Sequence, residues 1–175
     1  MIRRCQRMEQ IYAEIFPETQ IPYPVIFARF IGAMLFGAVI GIEREKKERP
    51  AGLKTHILVS LAAAVFSIIS IESVHMPGLS DSQVRIDPLR VVEAVTAGVA
   101  FLAAGTIVLS RGRVQGLTTG ASLWLAGAIG LALGFGHWLI ALFAVGAAFV
   151  VLSVLGYFEN DHKKPIAEDD KADRK

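Results

Sequence analysis

The sequence predicts an all-α fold, a polytopic bundle of about five transmembrane helices. Five apolar stretches fill almost the whole span from Tyr23 to Tyr157. Each is about long enough to cross a hydrocarbon core of roughly 30 Å, which takes about 20 residues in a helix. The chain of 175 residues is 53% hydrophobic, with a mean hydropathy of +0.49, whereas soluble domains are about 45–50% apolar and carry more charge. The chain is therefore predicted to be an integral membrane protein.

Each predicted span is an apolar run, and the segments that separate the runs are charged or contain proline or glycine. They cover Tyr23–Ile42, Thr55–Val74, Leu89–Leu109, Leu117–Leu133 and Trp138–Tyr157. Only a short Gly- and His-containing link separates the last two spans, which predicts a tight helical hairpin.

The flanking segments divide the chain into three parts. Residues 1–21 mix charges with apolar side chains, which fits either an amphipathic helix on the membrane surface or a frayed tail. Residues 22–157 form the predicted transmembrane domain. Residues 158–175 are charged and poor in apolar side chains, which predicts a disordered cytoplasmic tail. No cleavable signal peptide is expected, because the first 21 residues lack an apolar core.

The distribution of Lys and Arg predicts the orientation, since cytoplasmic loops are enriched in both. Twelve of them fall on the side of the first loop, the third loop and the C-terminal tail, and five on the other side. The twelve are Arg44, Lys46, Lys47, Arg49, Lys54, Arg111, Arg113, Lys163, Lys164, Lys171, Arg174 and Lys175. This count predicts that the N-terminus lies outside and the C-terminus in the cytoplasm.

Glycines four residues apart predict close helix packing, because small residues let helix backbones approach in a membrane. Such contacts either hold one bundle together or form the face of a homodimer. Trp124 is expected to pack against a neighbouring helix. The candidate packing glycines are Gly37, Gly41, Gly98, Gly105, Gly116, Gly120, Gly130 and Gly134.

Ionisable residues near the outer ends of the spans form a first candidate polar site. Arg29 lies about six residues inside the first span, where a charge costs several kcal/mol unless it is paired, hydrated or snorkelling. We expect Arg29 to pair with Glu93, with Glu72 as the second candidate and Asp87 in the adjoining loop. The pair either locks the bundle or contributes to a site open to the outer face.

A second candidate site lies at the inner face, where polar residues from three spans converge. These residues are either interfacial charges and helix-end hydrogen-bonding groups or a functional cluster. Its members are Glu43, Arg44, Gly52, Lys54, Thr55, His56, Thr118, Thr119 and Ser122.

Several function classes lack the residues that they need. The single cysteine, Cys5, excludes an intrachain disulfide and a cysteine-based metal centre. There is no P-loop, no H-E-x-x-H and no G-x-S-x-G motif. No basic and aromatic surface suggests nucleic acid. We therefore expect a protein that is not an enzyme and that has no cofactor, metal centre or nucleic-acid partner.

At its motifs, the chain resembles the MgtC/SapB family of bacterial inner-membrane proteins. The matching residues are Arg29, Gly37–Glu45, Pro50–His56, Asp87–Arg90, Gly98–Ile107 and Val114–Trp124. The match covers about residues 25–155, in order and with fitting spacing. The chain departs from the family pattern at Lys54, where Arg is usual, and at Ala100 and Ala103, where Gly is usual. Some members carry an additional C-terminal cytoplasmic domain, which is not expected from the residues that follow the last span here.

The resemblance implies a regulatory membrane protein that acts in adaptation to low magnesium and in intracellular survival. It also implies inhibition of the F-type ATP synthase by contact within the membrane, and the close-packing faces fit a protein that binds another membrane protein. The alternative is a small Mg²⁺ transporter or channel that works as a homodimer. A regulator predicts co-purification with a larger complex, whereas a transporter predicts flux that depends on Arg29 or Glu93.

Overall fold

A bundle of α-helices makes up nearly all of the computed structural model, which confirms the predicted fold class. The structure describes residues 8, 11–12, 14–74, 87, 89–110 and 113–155. The helices in this part of the chain are α1 (Tyr23–Lys46), α2 (Leu53–Val74), α3 (Leu89–Gly105), α4 (Leu117–Gly134) and α5 (Trp138–Val150), and a π-helical turn, Val151–Leu155, continues α5.

Three of these helices are long and apolar enough to cross a membrane by length and composition. They are α1, α2 and α4, and a shorter apolar helix covers Trp138–Ser153. The predicted amphipathic segment is helical at its described positions 8, 11–12 and 14–15, where the apolar side chains are exposed. The predicted tail at 158–175 lies outside the described residues.

Helix α2 lies at the centre of the bundle and packs against both α1 and α4. Glycine makes both contacts close. A Cβ atom on Gly37 would lie 2.8 Å from the carbonyl oxygen of His56, and one on Gly41 would lie 2.7 Å from the Cα of Leu53. On the other flank, a Cβ on Gly130 would overlap the Ser60 carbonyl, and one on Gly134 would lie 2.7 Å from the Ala64 carbonyl. These four glycines therefore serve contacts within one chain.

The apolar core follows from this arrangement, with small side chains beside larger ones where the helices meet. One cluster lies between α1, α2, α4 and α5 and contains Ala33, Ile40, Ala64, Ile129, Leu133, Ala141, Val145 and Ala148. A second cluster lies between the start of α2 and helices α3 and α4 and contains Ala51, Val59, Val99, Leu123 and Ala126.

The predicted hairpin between the last two helices is closed by a Schellman motif. Gly136 has a φ of +86°, which a residue with a side chain rarely adopts. The His137 N–H donates to the Ala132 carbonyl at 2.7 Å, and the Gly136 N–H donates to the Leu133 carbonyl at 2.9 Å. These bonds satisfy two of the carbonyls that a helix end leaves free.

The third helix ends earlier than the sequence predicted. The span was expected to reach Leu109, but α3 ends at Gly105, and Val108–Ser110 pairs with Arg113–Gln115 in a short antiparallel hairpin. Gly116 then starts α4 with a φ of +89°, and a Cβ there would overlap the Thr106 carbonyl. The hairpin satisfies backbone groups by strand pairing, so these residues do not continue the helix.

Helix α3 buries only Val99 and Ala103 of its 17 residues. It packs mainly on α4, where Gly120 and Gly127 approach Ala103 and Val99. The packing predicted for Gly98 and Gly105 is not formed, because a Cβ atom on either glycine would meet nothing within 4 Å. Trp124 was expected to be packed but is 50% exposed, since α3 covers only part of the α4 surface around it.

Candidate functional site

The inner polar cluster is built around two charged residues buried at the end of α1. Glu43 is 8% exposed and Arg44 is 2% exposed, although the sequence allowed both to be interfacial. The Arg44 Nε donates to Glu43 Oε2 at 2.5 Å. The Arg44 Nη1 is also buried and has no hydrogen-bond partner. The pair therefore places a cation with unused donor capacity inside the bundle.

Lys47 joins this pair to the far end of the last helix. Its Nζ lies 2.7 Å from Glu43 Oε1 and donates to the Leu152 carbonyl at 2.7 Å. Leu152 lies in the π-helical turn, where the backbone departs from the α-helical pattern and a carbonyl is free to accept. One ammonium group thus connects the end of α1 to the end of α5. Lys47 was not among the predicted site residues, although its i,i+4 spacing from Glu43 is a signal for this pair.

His56 links α2 to α4 inside the same cluster. Its ring is completely buried, with Nδ1 2.8 Å from the Gly52 carbonyl and Nε2 3.0 Å from Ser122 Oγ. A carbonyl can only accept, so Nδ1 carries a proton and donates. The Ser122 hydroxyl has a single proton, which the Thr119 carbonyl at 2.9 Å and, in the neutral ring, His56 Nε2 at 3.0 Å can each accept. Both ring nitrogens therefore have partners.

We expect the His56–Ser122 contact to contribute measurably to the packing of α2 on α4. In a double-mutant cycle of His56→Ala and Ser122→Ala, the coupling energy should be about 1 kcal/mol, as for a typical buried hydrogen bond. Thermal unfolding in detergent micelles measures it. Ser73→Ala is the matched control, because the exposed Ser73 hydroxyl bonds only to Ile69 of its own helix. A coupling energy near zero would contradict the contact.

The loop between α1 and α2 places His56 by capping the second helix. The Glu45 carboxylate accepts from the Leu53 N–H at 2.7 Å, which satisfies a free donor in the first turn of α2. A Cβ atom on Gly52 would overlap that carboxylate, so a side chain there would make Glu45 move away from the Leu53 N–H. Glu45 was not among the predicted site residues, although it lies in the Gly37–Glu45 motif that matches the family.

The nine predicted members of the inner cluster separate into two groups. Glu43, Arg44, His56, Thr119 and Ser122 are buried, and the Gly52 carbonyl accepts from His56. By contrast, Lys54, Thr55 and Thr118 are exposed and point away from the buried group. Their position on the outward faces of α2 and α4 explains the difference, since only one side of each helix faces the bundle.

The outer residues do not form the site that was predicted. The Arg29 guanidinium donates through Nη1 to the Gly134 carbonyl at 2.7 Å, at the C-terminal end of α4, and its Nε is buried without a partner. The predicted pair of Arg29 with Glu93 is wrong, because Glu93 is exposed on α3 and α3 packs on α4 and α2, away from α1. Arg29 instead neutralises the carbonyl end of a helix, where a cation is favoured.

The other two carboxylates of the outer group hold backbone segments. Glu72 accepts from the N–H groups of Gln20 and Ile21 at 2.9 and 3.0 Å, which ties the segment before α1 to the end of α2. Glu72 is therefore not a partner of Arg29. Asp87 is exposed and caps α3 by accepting from the Leu89 N–H at 2.9 Å. No group of three or more His, Cys, Asp or Glu side chains suited to a metal ion occurs in the described part of the chain.

Arg29 offers a direct test of this geometry. The Arg29→Leu variant should lose about 1–3 kcal/mol, because the carbonyl end of α4 loses its buried donor. The exchange of charges in Arg29→Glu combined with Glu93→Arg should be no more stable than Arg29→Glu alone. Thermal unfolding in micelles measures both effects. If the double variant were more stable than Arg29→Glu alone, Arg29 and Glu93 would interact after all, against the structure.

Comparison with known proteins decides the family. The model described as "MgtC family" matches residues 30–161, which is most of the chain. This chain belongs to the MgtC family. The resemblance seen in the motifs is thereby confirmed, and the chain is a membrane protein.

Curated relatives match at similar levels. Protein SrpB of Synechococcus elongatus is 38% identical over 138 residues, covering 74% of this chain and 72% of SrpB. Protein MgtC of Salmonella typhimurium is 39% identical over 127 residues, covering 73% of this chain and 50% of MgtC. The putative magnesium transporter YhiD of Escherichia coli is 34% identical over 131 residues, covering 73% and 60%. The chain thus spans about half to three quarters of these relatives. No solved structure matches it significantly.

Proposed function

We propose that this chain is a regulatory protein of the bacterial inner membrane, which acts in adaptation to low magnesium by binding another membrane protein. Membership of the MgtC family and the name of the YhiD relative support the link to magnesium. The F-type ATP synthase is the partner that we propose, with intracellular survival as the setting in a pathogen.

The observation that carries this proposal is the closed interior of the bundle. Where α2 meets α4, the backbone of Ser60 touches Gly130 and that of Ala64 touches Gly134, so the interface has no room for an ion. The buried carboxylate of Glu43 is neutralised by Arg44 and Lys47. Such an interior favours a protein that acts through its outer faces over one that moves a substrate through its centre.

A pull-down from gently solubilised native membranes tests the regulator. A tagged intact chain should recover ATP synthase subunits, whereas a Gly130→Val variant, which is expected not to assemble, should not. In inverted membrane vesicles, ATP-driven proton pumping should be lower when the chain is present. Failure to recover any subunit, together with unchanged pumping, would contradict the proposed partner.

A magnesium transporter is the second candidate, favoured by the name of the YhiD relative. It predicts Mg²⁺ uptake into proteoliposomes, measured with an enclosed Mg²⁺-sensitive dye. The regulator predicts no uptake above empty liposomes. Uptake that is abolished in Glu43→Gln, the variant that neutralises the buried carboxylate, would favour the transporter.

The proposed orientation has the N-terminus outside and the C-terminus in the cytoplasm. It rests on the excess of twelve Lys and Arg over five between the two sides. A fluorescent protein that matures only in the cytoplasm, fused after Lys175, should fluoresce. An alkaline phosphatase that is active only outside should stay inactive at the same position, and the reverse result would invert the topology.

A further inference from the structure

A long groove runs along the outside of the bundle between α2 and α3. Its cavity volume is about 810 Å³, and its walls are apolar, with Leu58, Ala62 and Phe66 on one side and Ala94, Gly98 and Leu102 on the other. The α2 wall extends from Lys54 to Phe66, which is about 18 Å at 1.5 Å per residue. Val59 and Val99, which are buried, line the bottom of the groove. The groove is open above them because α2 and α3 make little contact with each other.

The helix beside this groove carries two exposed charges. Arg90 lines one end of the groove, and Glu93 lies one turn further along α3. Neither residue forms an ion pair with another described residue. Among the described residues, Glu43 forms the ion pairs, one with Arg44 and one with Lys47. Arg90 lies at the start of α3 and Glu93 one turn inside it, where an unpaired charge is costly, which favours a partner that brings opposite charges to this end of the helix.

The exposed faces of α3 and α5 both carry bulky apolar side chains, and of the two helices only α3 borders the groove. Helix α5 exposes bulky side chains, with Leu139 81% and Phe143 79% accessible, which suit lipid tails. Helix α3 exposes Phe101, which is 80% accessible, and also the small residues Ala94, Ala97 and Gly98, of which Ala94 and Gly98 line the groove. Helix pairs in membranes bury small residues of this kind, so α3 is suited to another helix.

We propose that the groove is filled by α3 of a second copy of this chain, in a two-fold symmetric dimer. Each copy then supplies both the groove and the helix that enters the other groove, as an isologous interface requires. Copies in one membrane share an orientation, so the two α3 helices run parallel. Arg90 of one copy and Glu93 of the other differ in depth by only about 4.5 Å, which two long side chains can bridge, and the pair forms twice. This inference goes beyond the proposed function and does not depend on it.

Disulfide cross-linking in native membranes tests the interface. In a Cys5→Ser background, Ala97→Cys and Phe101→Cys should give a covalent dimer on mild oxidation. Phe143→Cys is the matched control, because Phe143 is 79% exposed and Phe101 is 80% exposed, but Phe143 lies on α5. We expect dimer at both α3 positions and roughly tenfold less at the control.

Charge exchange tests the pairing without relying on a single variant that could fail to fold. Arg90→Glu and Glu93→Arg should each cross-link roughly tenfold less well through Phe101→Cys, because each carries two like charges on α3. When the two are expressed together with different tags, a mixed dimer should form in preference, since every Arg then faces a Glu. An ion pair within one helix cannot produce this preference.

The outcomes separate the occupants of the groove. Cross-linking no greater at α3 than at Phe143, or mixed dimers no more abundant than chance, would overturn the proposal. If the α3 variants also stay monomeric while phospholipid remains bound after purification, the groove is a lipid site. If another membrane protein is cross-linked in place of a second copy, the groove belongs to that partner.

Discussion

Replacement of Gly130 by valine is expected to prevent stable assembly of the bundle. The new Cβ would overlap the Ser60 carbonyl and lie 2.9 Å from the Cβ of Ala63, so two helix backbones would have to separate. Overpacking of this kind costs about 1–3 kcal/mol, and we expect about 3 kcal/mol or more because a backbone is displaced. Little folded protein should elute as a single species in detergent, and its thermal unfolding should shift to lower temperature.

Gly146→Val provides the control for this experiment. It makes the same change in another helix, but a Cβ atom at Gly146 would meet nothing within 4 Å. Its stability should stay within about 0.5 kcal/mol of the parent, as is usual for surface substitutions. Equal stability of the two variants would show that the α2–α4 contact is looser than described.

Removal of the Glu43 carboxylate is expected to have the next largest effect. Glu43→Ala leaves the Arg44 guanidinium 2% exposed and without an anion, and Lys47 loses one of its two partners. Breaking a buried pair from one side typically costs about 3–5 kcal/mol. We expect a loss in this range in thermal or denaturant unfolding, with Glu18→Ala, which removes an exposed carboxylate, as the control.

The cost should be largely recovered when the second charge is also removed. Glu43→Ala combined with Arg44→Met leaves no uncompensated charge, and apolar replacements of buried pairs are often neutral or stabilising. Two results would show that the cluster is hydrated and not buried. One is a Glu43→Ala variant as stable as the parent, and the other is a double variant less stable than Glu43→Ala alone.

The main features of the fold could be predicted because helix length and apolar content are local properties. The starts of α3, α4 and α5 at Leu89, Leu117 and Trp138 were predicted to the residue. The end of α1 was set too early, at Ile42, because charges were taken as the edge of the membrane. The helix continues to Lys46, since Glu43, Arg44 and Lys47 neutralise one another and long charged residues favour helix.

The contents of the candidate sites were harder to predict, because they depend on which helices are neighbours. Arg29 and Glu93 lie at similar depths in a five-span topology, but depth alone does not place α1 beside α3. The backbone carbonyl that Arg29 uses has no signature in the sequence, since every residue carries one. In the same way, the burial of His56 depends on the close approach of α1 at Gly41. The spacing of the glycines predicts a close helix contact, but it does not tell which helix packs against them.

The short third helix has a consequence for the surrounding bilayer. At 17 residues, α3 is about 26 Å long, whereas α1, with 24 residues, is about 36 Å long. If α3 crosses the bilayer, as the sequence predicts, its length falls a few Å short of the roughly 30 Å hydrocarbon core, and thinning of the bilayer or snorkelling of flanking side chains then costs a fraction of a kcal/mol per Å of mismatch. A contact that covers α3 with protein removes this deformation, so self-association of the chain should strengthen as the membrane becomes thicker. For the proposed dimer, bilayer thickness would therefore shift the balance between one copy and two without any ligand.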